Sequence, residues 1–322
     1  MDAAYSGTKG THIPDRGYAL NQIPVQLMGP DTILSVDNPF YGVITTAGST
    51  LAAAKIVKRQ LMALYPQYTS NNLTYPLAAS SIYHSMQLKL IQRFSKDASF
   101  LISYTKGKNI DDSSGLMTWL EPASAHQNIY DRRSDRSISD QDIAQRFVAS
   151  FTAVLPFGRS GHFGRNWSPA LDKFLGGWQV NGILNFQSGV PLGLSTTNTS
   201  YSNNSVLRPN NTGTSAKLDN PTIAGWFDKS VFSQPPNYTF GNVGRNLPDV
   251  RGPGQGNLDF SLFKNIKFAE TRFVQFRSEF FNLTNTPEFD NPDTSLQSST
   301  FSRILSQRNR PRQIQFGLKI IF

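Results

Sequence analysis

The 322-residue sequence contains no cysteine, which excludes a disulfide-stapled scaffold and thiolate metal sites. It also lacks long apolar runs. The best stretch, residues 149–157, is interrupted by Ser150, Thr152 and Pro156 and is far shorter than the roughly 18 residues of a membrane-spanning helix. A membrane protein built from helices is therefore excluded. Residues 1–17 have no basic segment followed by an apolar one, so they are not predicted to be a secretory signal.

Apolar residues are also scarce, at 38%, yet aromatic residues reach 12% and phenylalanine alone occurs 23 times. Low hydropathy with many aromatics is typical of strands in which apolar and polar residues alternate. The net charge of +9 is spread along the chain, apart from two arginine groups at positions 132, 133 and 136 and at 308, 310 and 312. Charge scattered in this way usually belongs to a solvated surface, so no nucleic-acid partner is predicted.

The last eleven residues, RQIQFGLKIIF, show this alternation most clearly. One face of the predicted strand carries Ile314, Phe316, Leu318, Ile320 and Phe322. The other face carries Gln313, Gln315, Gly317 and Lys319. Such a face lies against a core in a soluble protein and against lipid in an outer-membrane barrel, and this strand alone does not distinguish the two.

The same period of two recurs in earlier segments, which brings the predicted total to about eight strands. The segments are residues 85–94, 99–106, 145–155, 177–187, 258–262 and 272–280, with a shorter candidate near 3–9. Five charged residues lie in mid-strand on the polar faces: Arg146, Asp259, Arg277, Glu279 and Lys319. Charged residues on one face and aromatic residues on the other fit a barrel with a water-filled lumen and a lipid-facing exterior. A soluble sheet with one solvated face is the alternative.

Connection lengths favour the barrel. If the strands run up and down in turn, the tight connections 96–98 and 268–271 fall on one side, with a longer one at 158–176. The long connections, residues 11–80, 107–142, 188–255 and 285–311, all fall on the other side. Short periplasmic turns and long extracellular loops are characteristic of outer-membrane barrels. We therefore predict an all-β fold, an antiparallel transmembrane β-barrel.

Three predictions concern the connections. Ser168-Pro169 and Gly176 bracket a short helix, because serine caps, proline starts and glycine stops helices. Apolar residues at helical spacing predict a second helix near residues 50–65. The Asn/Thr/Ser-rich segment 195–215 is predicted to be a mobile loop.

Five segments in order resemble the C-terminal barrel of TonB-dependent outer-membrane transporters, most closely the Oar-like subgroup. They are RFVASFTAVLPFG (146–158), LGGWQVNGILNFQSGVPL (175–192), VGRNLPDVRGPGQGNLDFSLFKN (243–265), RFVQFRSEFFNLTNTPEFDNP (272–292) and RQIQFGLKIIF (312–322). The resemblance implies a barrel of roughly 22 strands with a plugged lumen, of which this chain supplies about eight. Residues 1–322 are accordingly expected to be the C-terminal part of one barrel domain, without its plug or N-terminal strands.

The resemblance also implies the partners. The TonB system acts through the N-terminal region that the chain lacks, so residues 1–322 alone are expected to be inactive in uptake or translocation. Outer-membrane lipid surrounds the barrel. The apolar residues Ile314, Phe316, Leu318, Ile320 and Phe322 form the closing strand that the outer-membrane assembly machinery recognises.

The remaining candidate sites follow from residue types. Arg308, Arg310 and Arg312 are candidates for contact with lipopolysaccharide phosphates, since guanidinium groups match phosphate geometry. Trp178, Phe94, Tyr104, Phe268 and Phe322 lie near strand ends, where aromatic girdles belong.

No catalytic residue, cofactor or metal site is predicted. His12, His84, His126 and His162 are scattered, and Asp111-Asp112 is better explained as a polar loop start than as a calcium site. A passive porin and a soluble all-β carbohydrate-binding or glycosidase domain remain alternative functions.

Overall fold

The structure is a computed structural model. It describes residues 1–15, 18–73, 76–94, 98–113, 126–159, 161–268 and 272–322. Eight long strands dominate it: β1 Asp2–Pro14, β2 Leu77–Phe94, β3 Ala98–Asp111, β4 Gln145–Val154, β5 Trp178–Gln187, β6 Gln255–Lys267, β7 Phe273–Phe281 and β8 Gln313–Ile321.

The eight strands form one antiparallel sheet in which each pairs with its neighbours in the chain. This order confirms the predicted all-β meander. Among the described residues β1 pairs only with β2 and β8 only with β7, so the sheet is open at both edges. In the part of the chain that the structure describes, no helix is long and apolar enough to cross a membrane.

An up-and-down order sorts the connections by side, as predicted. The described parts of the long connections lie at one end, here called the loop end: residues 15, 18–73, 76, 112–113, 126–144, 188–254 and 282–312. The strand ends Phe94, Ala98, Lys267 and Phe273 and the described residues of 155–177 lie at the other, the turn end. The predicted tight turns 96–98 and 268–271 fall mostly outside the described residues, although β2 ends at Phe94 and β3 begins at Ala98.

Strand register assigns the two faces of the sheet, because directly paired residues point to the same side. Ile314, Phe276 and Phe260 belong to one face, which continues through Phe151 and Phe100. We call this the apolar face. On β8 it runs from Ile314 to Phe322, about 27 Å along the strand, close to the height of about 25 Å of the apolar band of membrane barrels.

The hydrophobic core of the protein lies in the loops, not in the sheet. Among the buried apolar residues that the structure describes, only Ala79 belongs to a long strand. The largest cluster joins the two long loops 188–254 and 282–312, where the rings of Phe227, Phe232 and Phe301 pack edge to face with centroids 5.2–6.2 Å apart. These loops therefore form a folded layer at the loop end.

Short elements complete this layer. Strand pairs join Tyr18–Ala19 to Asn72–Leu73, Ser35–Asp37 to Lys55–Val57, and Asn210–Asn211 to Phe232–Ser233, while Ser137–Ile138 pairs with the end of β3. Short 3-10 turns occupy Val25–Leu27, Pro30–Ile33, Thr50–Ala52 and Arg132–Asp135. The helices are α1, Lys58–Leu61, and α2, Pro169–Leu175.

The predicted helix near residues 50–65 is wrong except for α1. The chain is extended at Lys55–Val57, where it pairs with Ser35–Asp37. Of the apolar residues that suggested a helix, Leu51 is 2% exposed, whereas Val57 is 38% and Leu64 is 65% exposed, so the helical spacing does not mark one buried face. Strand pairing within the loop layer overrode the local pattern.

The predicted helix at residues 168–176 is confirmed as α2. The Ser168 hydroxyl accepts a hydrogen bond from the Leu171 amide at 3.2 Å, and the Gly176 amide donates to the carbonyl of Asp172 at 2.8 Å. The serine cap and the glycine stop therefore occupy the positions that the sequence indicated.

The prediction of a mobile loop at residues 195–215 is wrong. Ser200 and Ser202 are fully buried, and Leu207 is 1% exposed. The asparagine side chains satisfy backbone groups of neighbouring loops, as when the Asn203 amide donates to the carbonyl of Asn21 at 3.2 Å. Such polar side chains supply the hydrogen bonds that buried backbone N–H and C=O groups would otherwise form in a helix or a sheet.

Candidate functional site

The second face of the sheet is polar and carries all five mid-strand charges predicted from the sequence. Arg277 pairs with Gly317, Glu279 with Gln315 and Lys319 with Gln275. Asp259 pairs with Ile183 on the same side, and Arg146 with Gln187. We call this the polar face. Its charges lie opposite the aromatic residues of the apolar face.

Side chains of the polar face form hydrogen bonds within strands and across them. The Gln179 amide donates to Asn181 at 2.8 Å, and the Asn181 amide donates to the Ser261 hydroxyl at 3.2 Å. Further along the sheet, Arg277 donates to Gln275 at 2.6 Å, and its guanidinium lies 4.8 Å from the centre of the Phe263 ring. These contacts hold the polar groups in place without a covering layer of protein.

An open cavity of about 600 Å³ lies against this face. Its lining includes Thr152, Asn181, Ile183, Asp259 and Glu279, contributed by four strands. Hydroxyl, amide and carboxylate groups in one concavity suit a polar solute.

A buried ionic cluster lies in the loop layer and was not foreseen from the sequence. His126, 4% exposed, stands between two buried carboxylates. Its Nδ1 lies 2.7 Å from Asp135 and its Nε2 lies 3.0 Å from Asp15. Arg208 donates to Asp135 at 2.8 Å, and Arg132 pairs with Asp15.

The cluster brings together three carboxylates and three potential cations. The carboxylates are Asp15, Asp112 and Asp135, and the cations are Arg132, Arg208 and His126. Because an uncompensated buried charge is costly, the two buried carboxylates beside His126 favour its imidazolium form.

The pKa shifts of His126 and Asp15 agree with a protonated His126 beside an ionised Asp15. Burial by itself lowers the pKa of His126, but the hydrogen bonds to Asp135 and Asp15 outweigh burial and raise that pKa above its ordinary 6.5. Burial raises the pKa of Asp15, but hydrogen bonds from His126, Ser113 and Arg132 outweigh it and hold the pKa well below its ordinary value. Asp15 and His126 are therefore both ionised at mildly acidic pH.

Two further arginines fasten the loops to strand ends. Arg245, with 5% of its side chain exposed, pairs with Asp111 at the end of β3 and donates to the backbone carbonyl of Asp135 at 3.2 Å. Arg251 pairs with Asp142 and donates to the carbonyl of Gly189 at 3.1 Å. These contacts join the loops 112–144 and 188–254, and the Arg132–Asp15 pair adds the loop that follows β1.

The predicted loop arginines have different environments. Arg133 and Arg136 are exposed, as expected of a solvated surface, but that interpretation is wrong for Arg132, which pairs with Asp15. Arg308, Arg310 and Arg312 are all exposed at the loop end of β8. Arg308 lies 3.3 Å from Asp290.

The predicted terminal strand presents its apolar side chains without any cover. Ile314, Phe316, Leu318 and Ile320 are 50–70% exposed, and Phe322 is 94% exposed. Trp178, Phe94 and Phe268 lie with Phe322 at the turn end. Tyr104 lies in the middle of β3, because that strand continues to Asp111, so its predicted place near a strand end is wrong. Its hydroxyl donates to Gln145 at 3.0 Å.

The other histidines and the aspartate pair form no common site. His12, His84 and His162 are exposed, and Asp112 accepts hydrogen bonds from the amide and the hydroxyl of Ser80. In the described ranges no group of three or more His, Cys, Asp or Glu side chains could hold a metal ion.

An antiparallel sheet with one bare apolar face and one polar face defines the class of membrane-spanning β-sheet proteins. Comparison with known families agrees: the family model described as an outer membrane beta barrel domain matches residues 1–315. The chain belongs to this family and is located in the outer membrane. No curated protein and no solved structure matches the chain.

Proposed function

We propose that the chain forms the C-terminal part of the barrel wall of a TonB-dependent transporter of the Oar-like subgroup. Its apolar face contacts lipid, its polar face lines the lumen, and its loop end faces the outside of the cell. The observation that carries this proposal is the apolar face, whose side chains no part of the described protein covers. The five sequence segments that resemble such transporters support the choice of subgroup.

The open edges of the sheet support a larger barrel. In hydrocarbon an unpaired backbone N–H or C=O group costs several kcal/mol, so a spanning sheet must be closed. The free edges of β1 and β8 therefore require additional strands, as in transporter barrels of roughly 22 strands. A passive porin made of these eight strands alone is not favoured, because the described strands do not close on themselves.

The loop layer is the proposed site of ligand capture. Its phenylalanine core and ionic cluster give the loops one fixed arrangement, which lowers the entropic cost of ordering them when a ligand binds. In the proposed mechanism the ligand then passes the polar face, and the energy comes from the TonB system through a plug region. No catalytic role is proposed.

The proposal can be tested by reconstitution. Residues 1–322, folded into liposomes loaded with a small fluorescent dye, should release no dye, because eight strands with free edges make no closed pore. Cells that produce the protein with a photoreactive amino acid at Ala4 of β1 should yield a cross-link to a further barrel strand. Dye release together with the absence of such a cross-link would refute the proposal.

We further propose that Arg310 and Arg312 contact lipopolysaccharide phosphates. Within the described residues neither has an ion pair, whereas Arg308 is partly compensated by Asp290. The variant Arg310→Gln with Arg312→Gln should carry less lipopolysaccharide when purified from outer membranes. Lys55→Gln, which removes an exposed charge from a different loop, is the control. Equal amounts in both variants would contradict the assignment.

A further inference from the structure

The long connection at the turn end, residues 155–177 between β4 and β5, has an unusually apolar surface. We call it the connector. Its exposed apolar side chains are Phe157 at 43%, Phe163 at 61%, Leu171 at 42%, Phe174 at 78% and Leu175 at 47%. Leu171, Phe174 and Leu175 are spaced as neighbours on one side of α2. Exposed apolar patches of this kind mark contact surfaces.

Hydrogen bonds fix the connector in one conformation. The Gly158 amide donates to the carbonyl of Phe163 at 2.8 Å, and the Phe163 amide donates to the carbonyl of Pro156 at 2.9 Å. This places the rings of Phe157 and Phe163 side by side, 6.0 Å apart. The Asp172 carboxylate accepts from the Arg159 amide at 2.6 Å and so ties α2 to this turn.

The connector lies on the side of the apolar face. Trp178 and Lys264 are direct cross-strand partners on that face. The Trp178 indole donates to the carbonyl of Phe174 at 3.1 Å, and the Lys264 ammonium donates to the carbonyl of Gly176. The same ammonium lies 5.2 Å from the centre of the Trp178 ring. Two side chains of the lipid-facing surface therefore hold the end of α2 against it.

The charge of the connector is positive. Arg159, Arg165 and Lys173 are exposed, and Asp172 is the one acidic residue in this part of the sequence. Basic side chains beside an apolar surface are typical of segments that lie in a membrane interface, because anionic headgroups attract them.

We propose that the connector is an interfacial anchor that inserts its apolar side chains into the periplasmic leaflet and binds anionic phospholipid headgroups through Arg159, Arg165 and Lys173. We infer phospholipid as the binding partner because the connector is continuous with the lipid-facing surface and carries a positive charge. The inference rests on the orientation given in the proposed function, in which the turn end faces the periplasm.

The absence of native cysteine allows a single-site test in the full chain. A polarity-sensitive fluorophore is attached to Phe174→Cys, and the protein, within the closed barrel that the proposed function requires, is reconstituted in phosphatidylcholine vesicles with or without phosphatidylglycerol. Val43→Cys in the first loop is the matched control, since Val43 is also 78% exposed. Phe316→Cys on β8 reports separately whether the apolar face lies in lipid.

Quenching by a spin label near the headgroup end of the acyl chains should be strong at positions 174 and 316 and absent at position 43. Phosphatidylglycerol should increase quenching at position 174. Replacing each basic residue by glutamine should lower the insertion equilibrium in anionic vesicles by about fivefold.

Quenching at position 316 but not at 174 would overturn the anchor and leave the proposed function intact. Absence of quenching at both positions would overturn both. Quenching at 174 that responds neither to phosphatidylglycerol nor to the glutamine variants would overturn the assignment of anionic lipid.

Discussion

The buried ionic cluster gives the sharpest prediction about the loop layer. The Asp135 side chain is 1% exposed and joins His126 at 2.7 Å to Arg208 at 2.8 Å. Asp135→Asn keeps the size of the side chain but removes the charge between two buried cations. Breaking a buried ion pair in this way costs about 3–5 kcal/mol, since the remaining charge is left uncompensated.

Hydrogen exchange of the loop amides measures this effect. At about 1.4 kcal/mol per factor of ten, opening of residues 126–142 should become roughly a hundredfold to a few thousandfold more frequent in Asp135→Asn. The matched control is Asp37→Asn, which breaks the exposed ion pair with Lys55 at 2.8 Å and should leave exchange unchanged. Equal exchange in both variants would refute the view that the cluster stabilises the loops.

Three further predictions concern titration, packing and assembly. Because the pKa of His126 is raised in the folded protein, the stability that His126 contributes is complete below pH 6.5 and is lost as the pH rises through the higher folded pKa. Protection of the loop amides from hydrogen exchange, corrected for the intrinsic exchange rate, should therefore fall over that pH range in the wild type but not in His126→Gln. Phe227→Ala should destabilise the loop core by about 3–5 kcal/mol in the same exchange measurement, whereas Val43→Ala at an exposed site should not. Deleting Phe322 should lower the amount of the protein in the outer membrane, and an unchanged amount on quantitative immunoblots would count against an assembly role.

The sheet could be predicted from the sequence because the alternation that marks each strand lies within a short stretch of the chain. Alternation with a period of two places Ile314 and Gln315 on opposite faces whatever the rest of the chain does. The register then confirms that Arg277, Glu279 and Lys319 share one face. The bounds of β3 and β6 extend beyond the predicted segments, because strand pairing continues past the residues that alternate clearly.

The loop layer could not be predicted, because its contacts are distant in sequence. Asp15 and His126 are 111 residues apart, and nothing near either residue indicates the other. The segment 195–215 looks mobile by composition, yet its asparagines and serines serve as hydrogen-bond partners inside a buried layer. A polar composition therefore fits both a mobile loop and an internally hydrogen-bonded one.

The central claim is that one face of the sheet contacts lipid while the other contacts water. Ile183 and Leu184 test it most directly, since they are adjacent apolar residues of similar size on opposite faces of β5. With Ile183→Cys and Leu184→Cys in outer membranes, a small membrane-impermeant thiol reagent should modify position 183 and spare position 184, whereas a lipid-soluble reagent should show the reverse preference. Equal reaction of both positions with the impermeant reagent would contradict a lipid-facing apolar surface.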